Sequence, residues 1–419
     1  VKRRAQRETR FESGVAGLAL PDGIRRIERA AAAHDWPRMD YILAVTVGAL
    51  LVIGMMMVYS ATFDMVNQTK GQPAWYLIRQ ALWVLLGLAL LLALARLDYA
   101  HLHRISIPLM GVTVLLLILV LFFGQELYGA VRAFANGSLQ PSELTKLAVV
   151  IYIADWLASK GDKIRDVSYG LIPFGVLVGG IGGLVVMEPD LSTAALIVAT
   201  AVTMFFLAGA EWKQLIAGGG IAALTFGVVI MNSSHAQQRI REFIEMIKNP
   251  EKAGWQVQQA FVSIGSGGLF GRGLGAGRLK LGYLPLPHTD SIFAVIGEET
   301  GLIGCLVVVT LFAVLAYRGY KIAAQAPDVF GALLAAGATS WLVFEAAFNI
   351  AAITGLVPFT GIPLPFISYG GSALVSAMGA VGILLSVSRG TRKRARQSSA
   401  TNDFGRRDGR PRLSRTRSR

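Results

Sequence analysis

Cysteine is almost missing from this chain. Cys305 is the single one in 419 residues, so no intrachain disulfide can form. Charge is scarce too, at 16% of residues, against about 25% in an ordinary soluble domain. The five histidines, His34, His101, His103, His235 and His288, show no zinc-ligand spacing. These shortages exclude a disulfide-stapled scaffold and a zinc module. What fills the space is apolar: 53% of residues are hydrophobic, and the mean hydropathy is +0.53. A soluble enzyme this apolar would expose patches it could not hide. A disordered chain or a coiled coil would carry far more charge. The composition is that of a polytopic membrane protein.

The net charge of +14 resembles a nucleic-acid signature until it is located. Residues 1–39 and 389–419 hold 21 Lys/Arg and 7 Asp/Glu, which accounts for the whole excess, and the body between them balances. Basic segments flanking an apolar body read as cytoplasmic tails near anionic lipid, with no nucleic acid involved. No cleavable signal peptide is expected, because the first apolar run starts near Tyr41 behind a basic leader.

A helix crossing the hydrocarbon core needs about 20 apolar residues. Ten segments qualify, at roughly 41–60, 75–95, 106–123, 143–158, 169–187, 191–208, 214–232, 291–317, 329–352 and 371–388. Ten spans put both termini on one side. The loops predicted inside contain Arg96, Arg104, Lys160, Lys163, Arg165, Lys213, Arg318 and Lys321, whereas the short outer loops hold little beyond Lys70 and Arg132. That bias places the termini in the cytoplasm. The expected fold is all-α: a basic tail at 1–40, a ten-helix membrane domain at 41–388, and a second basic tail at 389–419, expected to be disordered. A long extracytoplasmic loop, 233–290, separates the seventh and eighth spans. No internal repeat is visible, which weighs against an inverted-repeat transporter.

Ionisable residues at the rims of spans are functional candidates. They cluster here at the outer ends: Arg79, Arg132, Glu143, Lys146, Glu188, Asp190, Asp290, Glu298 and Glu299, with Glu345 inside the ninth span. Arg79, Arg132 and Lys146 share one depth. They could bind an anionic lipid headgroup, or simply snorkel to the interface. Glu143 and Lys146 are three residues apart and could form a local ion pair. Asp190 precedes Leu191 and Ser192 as a helix cap would.

Within the long loop, 239–248 (RIREFIEMIK) reads as an interfacial amphipathic helix. The glycine-rich run at 254–278 lacks the G-x-x-x-x-G-K-[ST] pattern and is not a nucleotide loop. Two prolines precede His288, and Asp290 opens the eighth span. Asp290 is either a helix cap or a general base beside an outward-facing cavity. His288 either tunes it or is structural. The irregular stretch 353–373 is compatible with membrane depth where it lines a cavity.

Several stretches in register resemble the SEDS family of bacterial cell-wall proteins (shape, elongation, division and sporulation). They are VYSAT at 58–62, QPSELTK at 140–146, EPDLSTA at 188–194, GSGGLFGRGLG at 265–275, LPLPHTDSIFAVIGEETGLIG at 284–304 and TGIPLPFISYGGSAL at 360–374. GLGAGRLKLGYLP at 273–285 is more similar to the division branch than to the elongation branch. The resemblance implies a peptidoglycan glycosyltransferase polymerising lipid II at the septum. Its implied partners are a class B penicillin-binding protein and other division membrane proteins. Asp290 matches the family's essential aspartate. Arg79, Arg132, Glu143 and Lys146 match charged cavity positions, with His288 beside them as a substrate contact. The chain departs from the family pattern at Ala133, Ser291 and Glu345, where Trp, Phe and Gln are usual.

The expected chemistry is one inverting displacement. Asp290 takes the proton of the acceptor's 4-hydroxyl as that oxygen attacks the anomeric carbon of the undecaprenyl-linked donor. Arg79, Arg132 and Lys146 would stabilise the departing pyrophosphate. No nucleotide is required. A divalent cation (Mg or Mn) is compatible with this scheme, although the sequence shows no dedicated oxygen cage. The competing readings are a lipid II flippase or transporter, a polymerase of the elongation branch, and a non-catalytic scaffold for the partner synthase.

Overall fold

The computed structural model describes residues 40–68, 74–127, 130–133, 140–249, 251 and 253–407. The expectations for the leader at 1–39, for Lys70 and for residues 408–419 lie outside the described residues.

Twelve helices are described. The first three are α1 (Tyr41–Gln68), α2 (Ala74–Arg96) and α3 (Ala100–Phe123). A small antiparallel hairpin follows, β1 (Gln125–Leu127) with β2 (Ala130–Ala133), so the described fold is helical but not purely so. Next come α4 (Pro141–Lys160), α5 (Ile172–Met187), α6 (Leu191–Leu207) and α7 (Trp212–Asn232). The long loop contains α8 (Ser234–Lys248) and α9 (Trp255–Gly267). The chain then forms α10 (Ile292–Ala324), α11 (Val329–Ile353) and α12 (Gly371–Arg407).

Helices occupy all ten expected positions. Eight are long and apolar enough to cross a membrane, α5 reaching 21 residues, Val167–Met187, with the π-helical turn Val167–Leu171 that leads into it. The two exceptions have physical reasons. Helix α6 has only 17 residues. Helix α4 carries Glu143, Lys146, Asp155 and Lys160, which lower its hydropathy, and it is an interior helix packed against α3, α6, α11 and α12. Burial separates core from periphery: 83% of the apolar window of α12 and 72% of that of α11 lie inside the protein, but 6% of that of α7. Small residues make the core tight. A Cβ on Gly382 would stand 2.7 Å from Leu91 O, so α2 and α12 meet backbone to backbone.

Aspartates start several helices in the expected way. Asp40 accepts the Leu43 N–H at 3.1 Å and also pairs with Arg318. Asp328 accepts the Gly331 N–H at 2.7 Å. Asp190 accepts the Thr193 N–H at 3.1 Å and its hydroxyl at 2.9 Å, so Asp190 is the cap of α6.

Beyond 388, where the sequence suggests a disordered tail, α12 is described as far as Arg407; its Arg, Lys, Ala and Gln residues are good helix formers. The eighth expected span, 291–317, lies within α10, which is 33 residues long and breaks at Gly301, where φ is 68°. About 1.5 Å per residue would make an unbroken helix of that length far longer than the hydrocarbon core is thick. A Cβ at Gly301 would meet Gly271 N at 2.4 Å, so the break is also where the glycine-rich loop crosses the helix. The segment before the break is buried, whereas Leu302, Ile303 and Leu306 beyond it are exposed along an apolar face.

Candidate active site

The prolines Pro285 and Pro287 keep the chain out of a helix until Ser291, and the His288–Asp290 turn lies just before α10. Asp290 is 8% exposed. Burial pushes its carboxyl above the usual aspartate range. The Thr289 hydroxyl, the backbone amides of Asp290 and Ser291, and the positive charge of Arg239 oppose the rise. Thr289 Oγ1 donates to Asp290 Oδ1 at 3.0 Å. The cap position of α10 belongs to Ser291, whose side chain makes no capping bond. Asp290 thus differs from Asp190, whose bonds are those of a helix cap. Opposite it, Gly361 turns the chain with φ 70°, and a Cβ there would lie 3.6 Å from Asp290 Oδ2.

His288 is buried, and its ring packs edge-on to Tyr76 at 5.7 Å and Tyr369 at 5.6 Å. Burial lowers its pKa to about 4, so it is neutral at physiological pH. Its Nδ1 has no hydrogen-bond partner among the described residues. A neutral ring can donate or accept a hydrogen bond, but it cannot offer a charge to a phosphate. Arg79 belongs to the same cluster: its guanidinium stands 4.9 Å from the Trp75 ring and acts electrostatically on the Tyr369 hydroxyl.

Arg132 lies on β2, and its side chain falls outside the described set. Lys146 lies on the second turn of α4. Its Nζ is 2.8 Å from Glu143 Oε2 and 2.5 Å from Glu345 Oε1. Glu345 Oε2 also accepts the Trp341 indole N–H at 2.7 Å. All three charged groups are buried. The structure therefore does not present Lys146 as an open cation, because two carboxylates surround it. For Lys146 to meet a phosphate, one of them must be displaced. Glu345 contributes a counter-charge here that Gln could not.

Glu298 and Glu299 organise the glycine-rich loop. Glu298 accepts the Arg278 N–H at 2.7 Å and the Ser263 hydroxyl at 3.3 Å. Glu299 accepts the Gly275 N–H at 3.0 Å, the Ser60 hydroxyl at 2.6 Å and the Lys280 ammonium at 2.7 Å. Lys280 is 2% exposed, and no sequence signal marks it, since a lysine in a glycine-rich loop reads as solvated. Arg239 was likewise absent from the sequence-based candidates. It projects from amphipathic α8, which forms where the pattern predicts, and donates to Thr360 O at 3.3 Å.

The model of the FtsW/RodA/SpoVE family, described as cell cycle protein, matches residues 41–393. A probable peptidoglycan glycosyltransferase FtsW of Trichlorobacter lovleyi is 40% identical over 356 residues, covering 84% of this chain and 93% of that protein. Stage V sporulation protein E of Bacillus subtilis is 36% identical over 360 residues, covering 84% of this chain and 98% of that one. Among solved structures, a chain of a peptidoglycan synthase complex for polymerization and crosslinking superposes with a TM-score of 0.70. It is 28% identical, with 85% of this chain and 99% of that chain covered. The rod shape determining protein RodA of Thermus thermophilus superposes with a TM-score of 0.63 at 29% identity, covering 85% and 98%. The match spans essentially the whole helical body, and on that ground the chain belongs to the FtsW/RodA/SpoVE family of cell cycle proteins.

Proposed function

We propose that this protein is a peptidoglycan glycosyltransferase of the division type, joining lipid II units into β-1,4 glycan strands and releasing undecaprenyl pyrophosphate. It acts in the bacterial plasma membrane, at the septum, with ten spans and both termini in the cytoplasm. Its partners are a class B penicillin-binding protein and other division membrane proteins. The names of the curated relatives support the activity and the branch. The solved synthase complex supports the kind of partner.

The observation that bears the reading is Asp290: a buried carboxylate with a raised pKa, outside any helix cap, facing a glycine turn. A carboxylate poised above its usual range is a better proton acceptor at working pH. The proton of the acceptor 4-hydroxyl moves to Asp290. The bond from that oxygen to the donor's anomeric carbon forms as the bond to pyrophosphate breaks. One base suffices because pyrophosphate leaves without protonation, unlike the alcohol of a glycosidase. Arg79 is the cation beside the Tyr76–His288–Tyr369 cluster that is best suited to the leaving charge, with Arg132 and Lys146 as further candidates. Glu143 holds Lys146, and His288 shapes the acceptor side as a neutral ring. Among the described residues no group of three or more side chains is built to hold a metal. If a divalent cation takes part, Asp290 is the carboxylate that would hold it, and the charge it supplies would stabilise the leaving pyrophosphate.

The test is strand formation from lipid II by the protein reconstituted with its class B partner, the partner's transpeptidase being blocked. Asp290→Asn should lower the rate by roughly 10²–10⁴-fold, the usual worth of a general base, while partner binding persists. Equal strand formation by both proteins would remove Asp290 from the mechanism. Lipid II translocation without strands would replace polymerisation by transport.

A further inference from the structure

Three consecutive backbone carbonyls at the candidate base are each held from across the site. The Tyr369 N–H donates to His288 O at 2.8 Å. Ser368 Oγ donates to Thr289 O at 2.5 Å. Asn349 Nδ2 donates to Asp290 O at 2.8 Å. The other Nδ2 proton goes to Ile362 O at 2.7 Å. Ser368 Oγ also accepts the Leu364 N–H at 2.8 Å, so it braces its own loop while holding the other.

Asn349 lies on α11, an interior helix, and is 2% exposed. Its single amide nitrogen spans two loops: the one before α10, which ends in Asp290, and the one after α11, which contains Gly361. Bridging two carbonyls takes two N–H donors on one nitrogen, and among neutral side chains a primary amide supplies them. The amide oxygen of Asn349 is buried and has no hydrogen-bond partner among the described residues. A buried polar atom without a partner is unfavourable, so a residue present merely to fill this space would be apolar. The donors are what this position uses. They set the distance between the Asp290 peptide and the Gly361 turn, where a Cβ would already lie 3.6 Å from the carboxylate.

We infer that Asn349, braced by Ser368, is the positioning residue for the base: it fixes the Asp290 peptide against the 360–369 loop so that the carboxylate meets the acceptor hydroxyl. This inference rests on the reading of Asp290 as the base. A displacement of about 1 Å at a reacting group can cost 10²-fold in rate. Asn349→Ala is therefore expected to lower kcat by about 10²-fold with KM for lipid II changed less than about threefold. Ser368→Ala is expected to lower kcat by about 10-fold, and Ser368→Thr, which keeps the hydroxyl, to restore it.

The experiment measures strand-forming kinetics of the full protein with its partner synthase, alongside thermal melting in detergent. Asn349→Ala is also placed in the Asp290→Asn background. A residue that acts through Asp290 adds little once Asp290 is gone, whereas a general packing role lowers the rate by the same factor in both backgrounds. The first result supports the inference, and the second overturns it. A kcat within twofold of the parent for Asn349→Ala also overturns it. If Asn349→Ala fails to fold, the Ser368 pair decides: loss with Ala and recovery with Thr supports the clamp, and equal rates for both reject it. If Asp290→Asn itself polymerises normally, the failure lies in the assignment of the base and not in the clamp.

Discussion

Asp290 and the pair Glu298–Glu299 lie within ten residues of one another and invite the same interpretation, yet their surroundings are opposite. The two glutamates are saturated by partners from other segments: loop amides, Ser60, Ser263 and the Lys280 ammonium. Asp290 has its neighbour Thr289, local amides and the field of Arg239, with a glycine where a covering side chain could have been. An ionisable residue in a membrane protein is thus not functional by virtue of being there. The glutamates are tied to distant segments of the chain, whereas the partners of Asp290 are its own neighbours.

The comparison can be broken most directly at Asp290. Beyond the 10²–10⁴-fold loss of rate, Asp290→Asn should raise the melting temperature. Burial lifts the folded-state pKa, so the associated stability is fully present below the unfolded value near 3.8 and is lost as pH rises through the folded one. At neutral pH the ionised form is a net cost, which the amide removes. A lower melting temperature at pH 7 would place Asp290 with the structural carboxylates.

Glu299→Ala should do the reverse. It strands the Lys280 ammonium in the interior, and breaking one partner of a buried pair costs about 3–5 kcal/mol. Denaturation in detergent should show that loss, and replacing Lys280 by Met in the same chain should recover part of it. Unchanged stability would mean that the pair is not what holds the loop.

A smaller effect separates Asp190 from Asp290. Asp190→Ala should cost about 0.5–2 kcal/mol as a lost cap, with the polymerisation rate per folded molecule unchanged. A rate loss like that of Asp290→Asn would merge the two residues into one site.

The smallest expected change is the most specific. Arg239→Gln removes a positive charge that lowers the Asp290 pKa. The acid limb of the pH–rate profile should move to higher pH. A limb that stays in place would separate Arg239 from the base.

The helix positions were legible because their signal is local. Runs such as 41–60 and 106–123 are apolar throughout, and any chain this apolar must satisfy its backbone inside helices. The amphipathic α8 and the Asp190 cap were legible for the same reason, each being decided within a turn or two. The Gly301 break was not, because IGEETGLIG continues a helical pattern across it, and the cause is the loop pressed against it from 269–271. The partnership of Lys146 with Glu345 spans 199 residues, and that of Lys280 with Ser60 spans 220. No periodicity reports on pairs so far apart.

Composition and local pattern by themselves determined a helical membrane body, its helix positions and the motif that contains Asp290. The tertiary structure decided which charges are paired with one another and which are held only by neighbours in sequence. Long-range packing sets burial, and burial sets the partners and the pKa of each group. That is why Asn349, an unremarked amide in an interior helix, comes into view as the residue joining the two loops at Asp290.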